Sequence, residues 1–295
     1  MELLTKEKVS QRHPCLEGCG ASGVVHGGVK HGRLHLPVSS RCNIQCRFCR
    51  RAFNREEDRP GVTHGILKPE LAVEKVAKAL ELCPEITVVG IAGPGDTLAT
   101  LEAIETFSAV HARYPELILC MSTNGLMLGE YADKLNEAGV VSVTVTVNAV
   151  DPEILFRIVS HVTWQGVTYR DEVGSRILIA NQLEGIKRAA EFAVVKVNTV
   201  LIPGVNDHHI AEIAETVSAV GANIYNIIPL IPQHEFSSFP APTCDDLNAA
   251  RKAAEQYVPV FRHCQHCRAD AVGVPGFSDF SSQLYEGTVE TFSHG

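Results

Sequence analysis

A chain of 295 residues that is 45% hydrophobic is long enough to bury a full core and suits one large α/β domain with short appendages. Its formal net charge of −8 argues against nucleic acid or an anionic membrane as partner. No apolar run approaches the roughly 20 residues that span a bilayer, and the opening MELLTKEKVSQRHPC has no apolar export signal, so a cytoplasmic location is expected.

Residues 1–32 read as an irregular segment ending in a Gly-rich loop, EGCGASGVVHGGVKHG. From about residue 33 strand and helix patterns alternate. GRLHLPV is a short strand; 68–82 has helical periodicity and leads to the apolar strand ITVVGIAG. Helix 98–113 precedes ELILCMS, helix 129–138 precedes VVSVTVTVN, a helix near 174–192 precedes AVVKVNTVLI, and helix 207–219 precedes NIYNIIPL. Continuous apolar strands alternating with amphipathic helices imply a parallel sheet covered by helices. The expected fold is α/β, a partial or complete (β/α) TIM-type barrel over 33–230, with its site at the C-terminal strand ends. Residues 231–295 form a C-terminal extension with a helix at 243–256, a Cys-rich stretch RHCQHCRADAVG, and a last twenty residues of little pattern.

Ten cysteines and thirteen histidines are the most informative counts. A disulfide scaffold would be short and secreted, so these thiols read as metal ligands in a reducing compartment. Cys83 and Cys244 read as ordinary thiols. Cys42, Cys46 and Cys49 follow the first strand in RCNIQCRFC. Three cysteines at C-x3-C-x2-C can wrap three corners of a cubane and leave one iron open to a substrate. Phe48, just before the third, can shield the cluster from water. A structural zinc site would want four ligands in paired spacing, which this run lacks. The chain has no P-loop, Ser-His-Asp pattern or dinucleotide fingerprint.

This C-x3-C-x-Φ-C run resembles the radical SAM (S-adenosylmethionine) superfamily. The resemblance implies that Cys42, Cys46 and Cys49 are catalytic and hold a [4Fe–4S] cluster. Its open iron would bind SAM, which is split to a 5′-deoxyadenosyl radical. It further implies that GIAGPGD, with Gly93, Gly95 and Asp96, receives the SAM amino group. Ser122 and Asn124 end the third strand; Thr144, Thr146 and Asn148 share one face of the fourth; Asn198 lies on the fifth, followed by Ile202, expected near adenine. Each segment alone is equally a barrel turn or a core polar residue; jointly they mark the strand-end site.

Further ligands remain: Cys15 in HPC, His35 on the first strand, Cys120 at the end of the third, and Cys264 and Cys267 in RHCQHC beside His263 and His266. A C-x2-C pair is half a site for a cluster or for zinc, and Cys120 alone could be a core thiol. HPC, HLPVSSRCNIQCRFC, RPGV, GIAGPGD, LCMSTNGL, NAVDPE, QLEGIKR, VKVNTVLIPGVND and HCQHCRADAVG occur in one order, and together they resemble the NifB family over residues 13–274. That resemblance implies fusion of two [4Fe–4S] substrate clusters into the carbide-centred, eight-iron precursor of nitrogenase iron-molybdenum cofactor. One SAM would supply a methyl group and another the radical that strips its hydrogen. His35 and Cys120 would hold one substrate cluster, and Cys15, Cys264 and Cys267 the other. Implied partners are iron–sulfur cluster donors, a separate cofactor carrier, a maturation scaffold and a low-potential electron donor; a monomer is expected. The alternatives are a related radical SAM methyltransferase or maturase for another metallocofactor, and a non-catalytic iron–sulfur carrier.

The resemblance breaks in two places. The family has a fourth cysteine shortly after the triad, where this chain has CRRAFNREEDRP. It also lacks the Gly-rich insertion of about seven residues between Cys15 and His35, carrying Cys19, His26 and His31. Cys19 is the simplest replacement ligand, and a flexible loop is the plain alternative. Hydrogen removal from a methyl group calls for a base or relay near the clusters. Glu56, Glu57, Asp58 and Arg59 could reach the pocket but read more readily as a solvated charged loop, and Arg268 and Asp270 could pair with each other or approach sulfide.

Overall fold

The structure is a computed structural model that describes residues 4–16, 31–264 and 267–285. The apolar runs become strands of one sheet: β1 Gly32–His35, β2 Ile86–Ile91, β3 Ile118–Thr123, β4 Val140–Thr146, β5 Val194–Leu201, β6 Ile224–Pro229, β7 Val260–Phe261 and β8 Val272–Gly273. The order across the sheet is β7-β6-β5-β4-β3-β2-β1-β8. Neighbours from β1 to β7 pair parallel, and β8 runs antiparallel to β1. Helices Ala72–Leu82, Glu102–Arg113, Leu128–Glu137, Glu172–Phe192, Ile210–Ala219 and Cys244–Ala254 make the crossovers. Because β7 and β8 are the two edges, the sheet is an open, partial barrel, one of the two forms expected.

Side-chain alternation along each strand assigns the two faces. Val89 and Ile91, Leu119 and Met121, Val143 and Val145, and Val195 and Val197 point outward into one core with helix residues such as Val76, Phe107, Leu135 and Ile213. The residues between them face the barrel interior, and there the sequence turns polar: His35, Gly90, Cys120, Ser122, Thr144, Thr146, Lys196 and Asn198. An apolar outer face fixes each register, because a slip of one residue would bury the polar set and expose the apolar one.

Three features depart from the sequence reading. The N-terminal segment is not wholly irregular: Lys6–Arg12 is a short helix whose N-cap, Thr5, accepts from the Lys8 backbone. Only Val9 of that helix is buried, so the segment carries no periodic signal. The patternless C-terminus includes helix Ser281–Leu284, and Leu284 and Tyr285 are buried in the main core. Between β4 and β5, where no strand was expected, a hairpin forms from Val159–Trp164 and Val167–Tyr169. Its two-residue turn has positive φ at both Gln165 and Gly166, the twist that suits a tight hairpin. This hairpin pairs antiparallel with Ile44–Cys46 and anchors the cysteine loop. Among the described residues no helix is long and apolar enough to cross a membrane.

Candidate active site

One cavity of about 350 Å³ opens at the C-terminal strand ends, and it gathers nearly every ligand expected from the sequence. Cys42, Cys46 and Cys49 line it together with Cys15, His35, Cys120, Cys264 and Cys267. Gly95, Asp96, Ser122, Asn124, Thr146, Asn148 and Asn198 line it as well. Among the described residues no cysteine is in a disulfide.

The triad loop is built by hydrogen bonds from three sides. Gln45 Nε2 donates to the carbonyls of Cys46 and Cys49, and Ser160 Oγ of the hairpin donates to the Gln45 carbonyl. Backbone bonds from Arg47 to Ile158 and from Thr163 to Asn43 fasten the loop to the same hairpin. On the other side the glycine-rich loop lies flush against it. Gly95 N–H donates to Ser39 O and Asp96 N–H to Arg41 O. A Cβ on Gly95 would stand 2.1 Å from Arg41 O, so only glycine fits there.

Asp96 was expected to meet the SAM amino group; its carboxylate is already engaged. It accepts from Asn124 N–H at 2.6 Å, Leu98 N–H at 3.0 Å and the Thr123 hydroxyl. Burial nevertheless pushes its pKa up, against those hydrogen bonds. Asp96 thus couples the glycine-rich loop to the end of β3. Asn124 passes the link on, donating to Asn43 Oδ1 at 2.6 Å and lying 3.8 Å from Cys42 Sγ. Asn148 Oδ1 accepts from Val200 N–H, and Asn198 Oδ1 from Asn226 Nδ2. Gly93 and Ile202 do not line the cavity. Gly93 takes a φ of +123° ahead of the turn, and Ile202 is fully buried in the cluster beneath Cys42, Cys46 and Phe48. Val200 and Ile228 are among the apolar residues that line the cavity.

The second group of ligands sits across the cavity. In the register of β1, β2 and β3, His35, Gly90 and Cys120 are neighbours in one row. Gly90 leaves the gap between the other two: a Cβ there would come within 3.0 Å of the His35 ring. His35 Nδ1 lies 3.0 Å from the Arg268 carbonyl. A proton on Nδ1 serves that bond and leaves Nε2 as a lone-pair donor. Burial, then the charge of Arg33, lowers the His35 pKa to about 4, so the ring is neutral at pH 7. Cys267 and Cys264 reach the cavity on the segment before β8, which an ion pair secures: Arg268 Nε donates to Asp270 Oδ1 at 2.9 Å. Arg268 also donates to the Asn54 carbonyl and to that of Glu57, as His64 N–H does to Asp270. Arg268 and Asp270 therefore pair, one of the two roles open to them in the sequence. Glu56, Glu57 and Asp58 are exposed, whereas Arg59 is buried and donates to the Arg50 carbonyl. Cys19, His26 and His266 fall outside the described residues. His31 is described and does not line the cavity.

Residues 36–217 match the radical SAM superfamily. The FeMo cofactor biosynthesis protein NifB of Methanocaldococcus infernus is 46% identical over 278 residues, 93% of this chain and 89% of that one. Its counterpart in Methanocaldococcus jannaschii is also 46% identical, over 90% of this chain and 87% of that one. The chain belongs to the NifB family. A solved structure of Streptococcus suis SuiB bound to S-adenosylmethionine shares the fold, with a TM-score of 0.59 at 14% identity over 81% of this chain and 52% of that one.

Radical SAM membership implies a [4Fe–4S] cluster and SAM, and the triad fits that group. Burial raises the Cys42 thiol to about 12, with help from Asp96. It raises Cys46 as well, where the Cys49 and Cys42 charges add to it, and it raises Cys49. These three soft donors are half-buried and line one cavity, and binding of a metal would favour their thiolate forms. Across the cavity burial likewise raises Cys120 and Cys267, each to about 11, and Cys264. Among the described residues no three His, Cys, Asp or Glu side chains close on one point as a single metal ion requires. A cubane instead takes one ligand per corner, and ligands standing around a wall suit it.

Several NifB-family cavity residues escaped the sequence reading: His13, Arg33, Gly90, Gln182 and Lys196. Gln182 is on the long helix Glu172–Phe192 and donates to the Asn124 and Thr146 carbonyls. Alternation along β5 puts Lys196 on the same face as Asn198, a signal the sequence did hold.

Proposed function

We propose that this chain is a radical SAM enzyme of nitrogenase FeMo cofactor assembly, which fuses two [4Fe–4S] substrate clusters into a carbide-containing eight-iron precursor. The observation that carries the reading is the single cavity shared by the SAM triad and the two further ligand groups. When bound, the resident cluster and SAM supply methyl transfer and one-electron hydrogen abstraction. The chain's own share is positional. Cys42, Cys46 and Cys49 hold the resident cluster, and Gly95, Ser122, Asn124, Thr146, Asn148 and Asn198 surround the space beside it. His35 and Cys120 hold one substrate cluster, and Cys15, Cys264 and Cys267 the other. Few ligands per cluster leave corners for fusion, and a lone imidazole is a weaker, more readily exchanged ligand for iron than a thiolate. Iron–sulfur donors, a low-potential electron donor, a separate carrier and a maturation scaffold in the cytoplasm complete the reading.

A second reading keeps the enzyme class and changes the product to another methylated or matured metallocofactor. The loop after the triad favours it. Where the family has a fourth cysteine, this chain builds 50–63 around buried Arg59 and the parallel pairing of Ala52–Phe53 with Val62–Thr63. Anaerobic reconstitution with SAM and a reductant decides. The first reading predicts both S-adenosylhomocysteine and 5′-deoxyadenosine, and activation of cofactor-free nitrogenase by the product. Cleavage of SAM without activation selects the second reading, and no cleavage contradicts both.

A further inference from the structure

The cavity is electrically lopsided. Among the described residues its one lining carboxylate, Asp96, lies at the triad end and bears on Cys42 and Cys46, and one cation, Arg51, lines it there as well. At the other end two cations enter from the sheet. Arg33 on β1 is 9% exposed and Lys196 on β5 is 7% exposed. Among the described residues no carboxylate pairs with either. Lys196 Nζ has, among the described residues, one contact, the face of Phe261, with the ring centroid 5.5 Å away. It stands close enough to Cys120, Cys264 and His35 to bear on each electrostatically. Arg33 donates through Nη1 to the Gly273 carbonyl at 3.3 Å and its side chain hydrogen-bonds Cys267, but its Nε is buried without a partner. His13 adds a second such nitrogen. Its Nδ1 accepts from Cys15 N–H at 3.1 Å, so the ring proton resides on Nε2, which is buried and unpartnered at the same cavity.

Buried charge and buried donors without partners are costly, and a protein retains them where a ligand completes them. A ligand that meets this floor must be anionic, must offer acceptors to nitrogen donors, and must accept the thiolates beside it. A four-iron cluster under thiolate ligation has each property: net negative charge and sulfides that accept hydrogen bonds. We propose that Lys196 is the counter-ion of the substrate cluster held by Cys15, Cys264 and Cys267, with Arg33 and His13 donating to its sulfides. This assignment rests on the reading of those cysteines as substrate-cluster ligands.

The test is anaerobic reconstitution of the full chain as wild type, Lys196→Met and Lys196→Arg. Iron per chain, the rate of iron loss to a chelator, cluster midpoint potentials and SAM binding are read. Wild type should hold roughly twelve irons, three four-iron clusters. Lys196→Met should lose one cluster, or release its iron at least tenfold faster, and any cluster retained should reduce at a more negative potential. Lys196→Arg should restore retention, which a mere packing defect would not predict. SAM binding should be unchanged in both variants. Retention and potentials equal to wild type in Lys196→Met would overturn the assignment, as would loss of SAM binding with all iron kept. If wild type itself holds only the triad cluster, the underlying reading of Cys15, Cys264 and Cys267 fails instead. Arg33→Met repeats the comparison should Lys196→Met not fold.

Discussion

Gly90 shows how one missing side chain makes a ligand pair. His35 and Cys120 flank it on adjacent strands, and a methyl on Gly90 would stand 3.0 Å from the imidazole, too close unless the ring gives way. Gly90→Ala should therefore push the His35 ring aside and cost about 1–3 kcal/mol of stability, the usual price of overpacking. If His35 and Cys120 hold a substrate cluster as proposed, the reconstituted variant should lose it while keeping the triad cluster, as iron analysis and electron spin resonance would show. Full iron content would place the pair outside cluster binding. At this scale the sequence was legible where chemistry shows in residue type. Cysteines at fixed spacing named the triad, and all eight expected ligands line one cavity. Gly90 was silent because its role depends on a neighbour across the sheet, whereas Lys196 was there to be read, since it shares a strand face with Asn198.

At the scale of elements, short segments remote from one another hold the ligands in place. The strand Ile44–Cys46 is three residues long and exists because the hairpin at 159–169 pairs with it. Nothing local in VSHVTWQGVTY announces that partner, so the hairpin went unread, whereas the long apolar runs of β2 to β6 were read nearly to their ends. The C-terminal ligand segment depends likewise on Asp270. Burial alone would raise this carboxyl, but hydrogen bonds from Arg268 and His64 and the Arg268 charge hold it below the usual carboxylate range. Such a group stabilises the fold above its ordinary value, near 4, and that contribution fades as acid protonates it through its lower folded value. Asp270→Ala, which strands Arg268 without its partner, should cost about 3–5 kcal/mol near neutral pH. The deficit should narrow below about pH 4. Thermal unfolding of the cluster-free protein across that range checks both; a deficit that grows in acid would contradict the pairing.

Over the whole molecule, the open barrel brings N-terminal, central and C-terminal cysteines to one space. Cys15 precedes the sheet, Cys120 lies within it, and Cys264 and Cys267 lie between β7 and β8, which close its two edges. The fold class followed from apolar strands alternating with helices, but the meeting of these ends did not, since strands of two residues such as β7 and β8 leave little trace in a sequence. The arrangement has use only if a resident cluster on Cys42, Cys46 and Cys49 leaves one iron for SAM at the mouth of that space. The most direct test is electron spin resonance of the reduced, anaerobically reconstituted chain before and after SAM is added, with His35, Cys120, Cys15, Cys264 and Cys267 replaced by alanine so that only the triad cluster contributes. A changed signal on addition of SAM is the predicted result; a spectrum indifferent to SAM would contradict it.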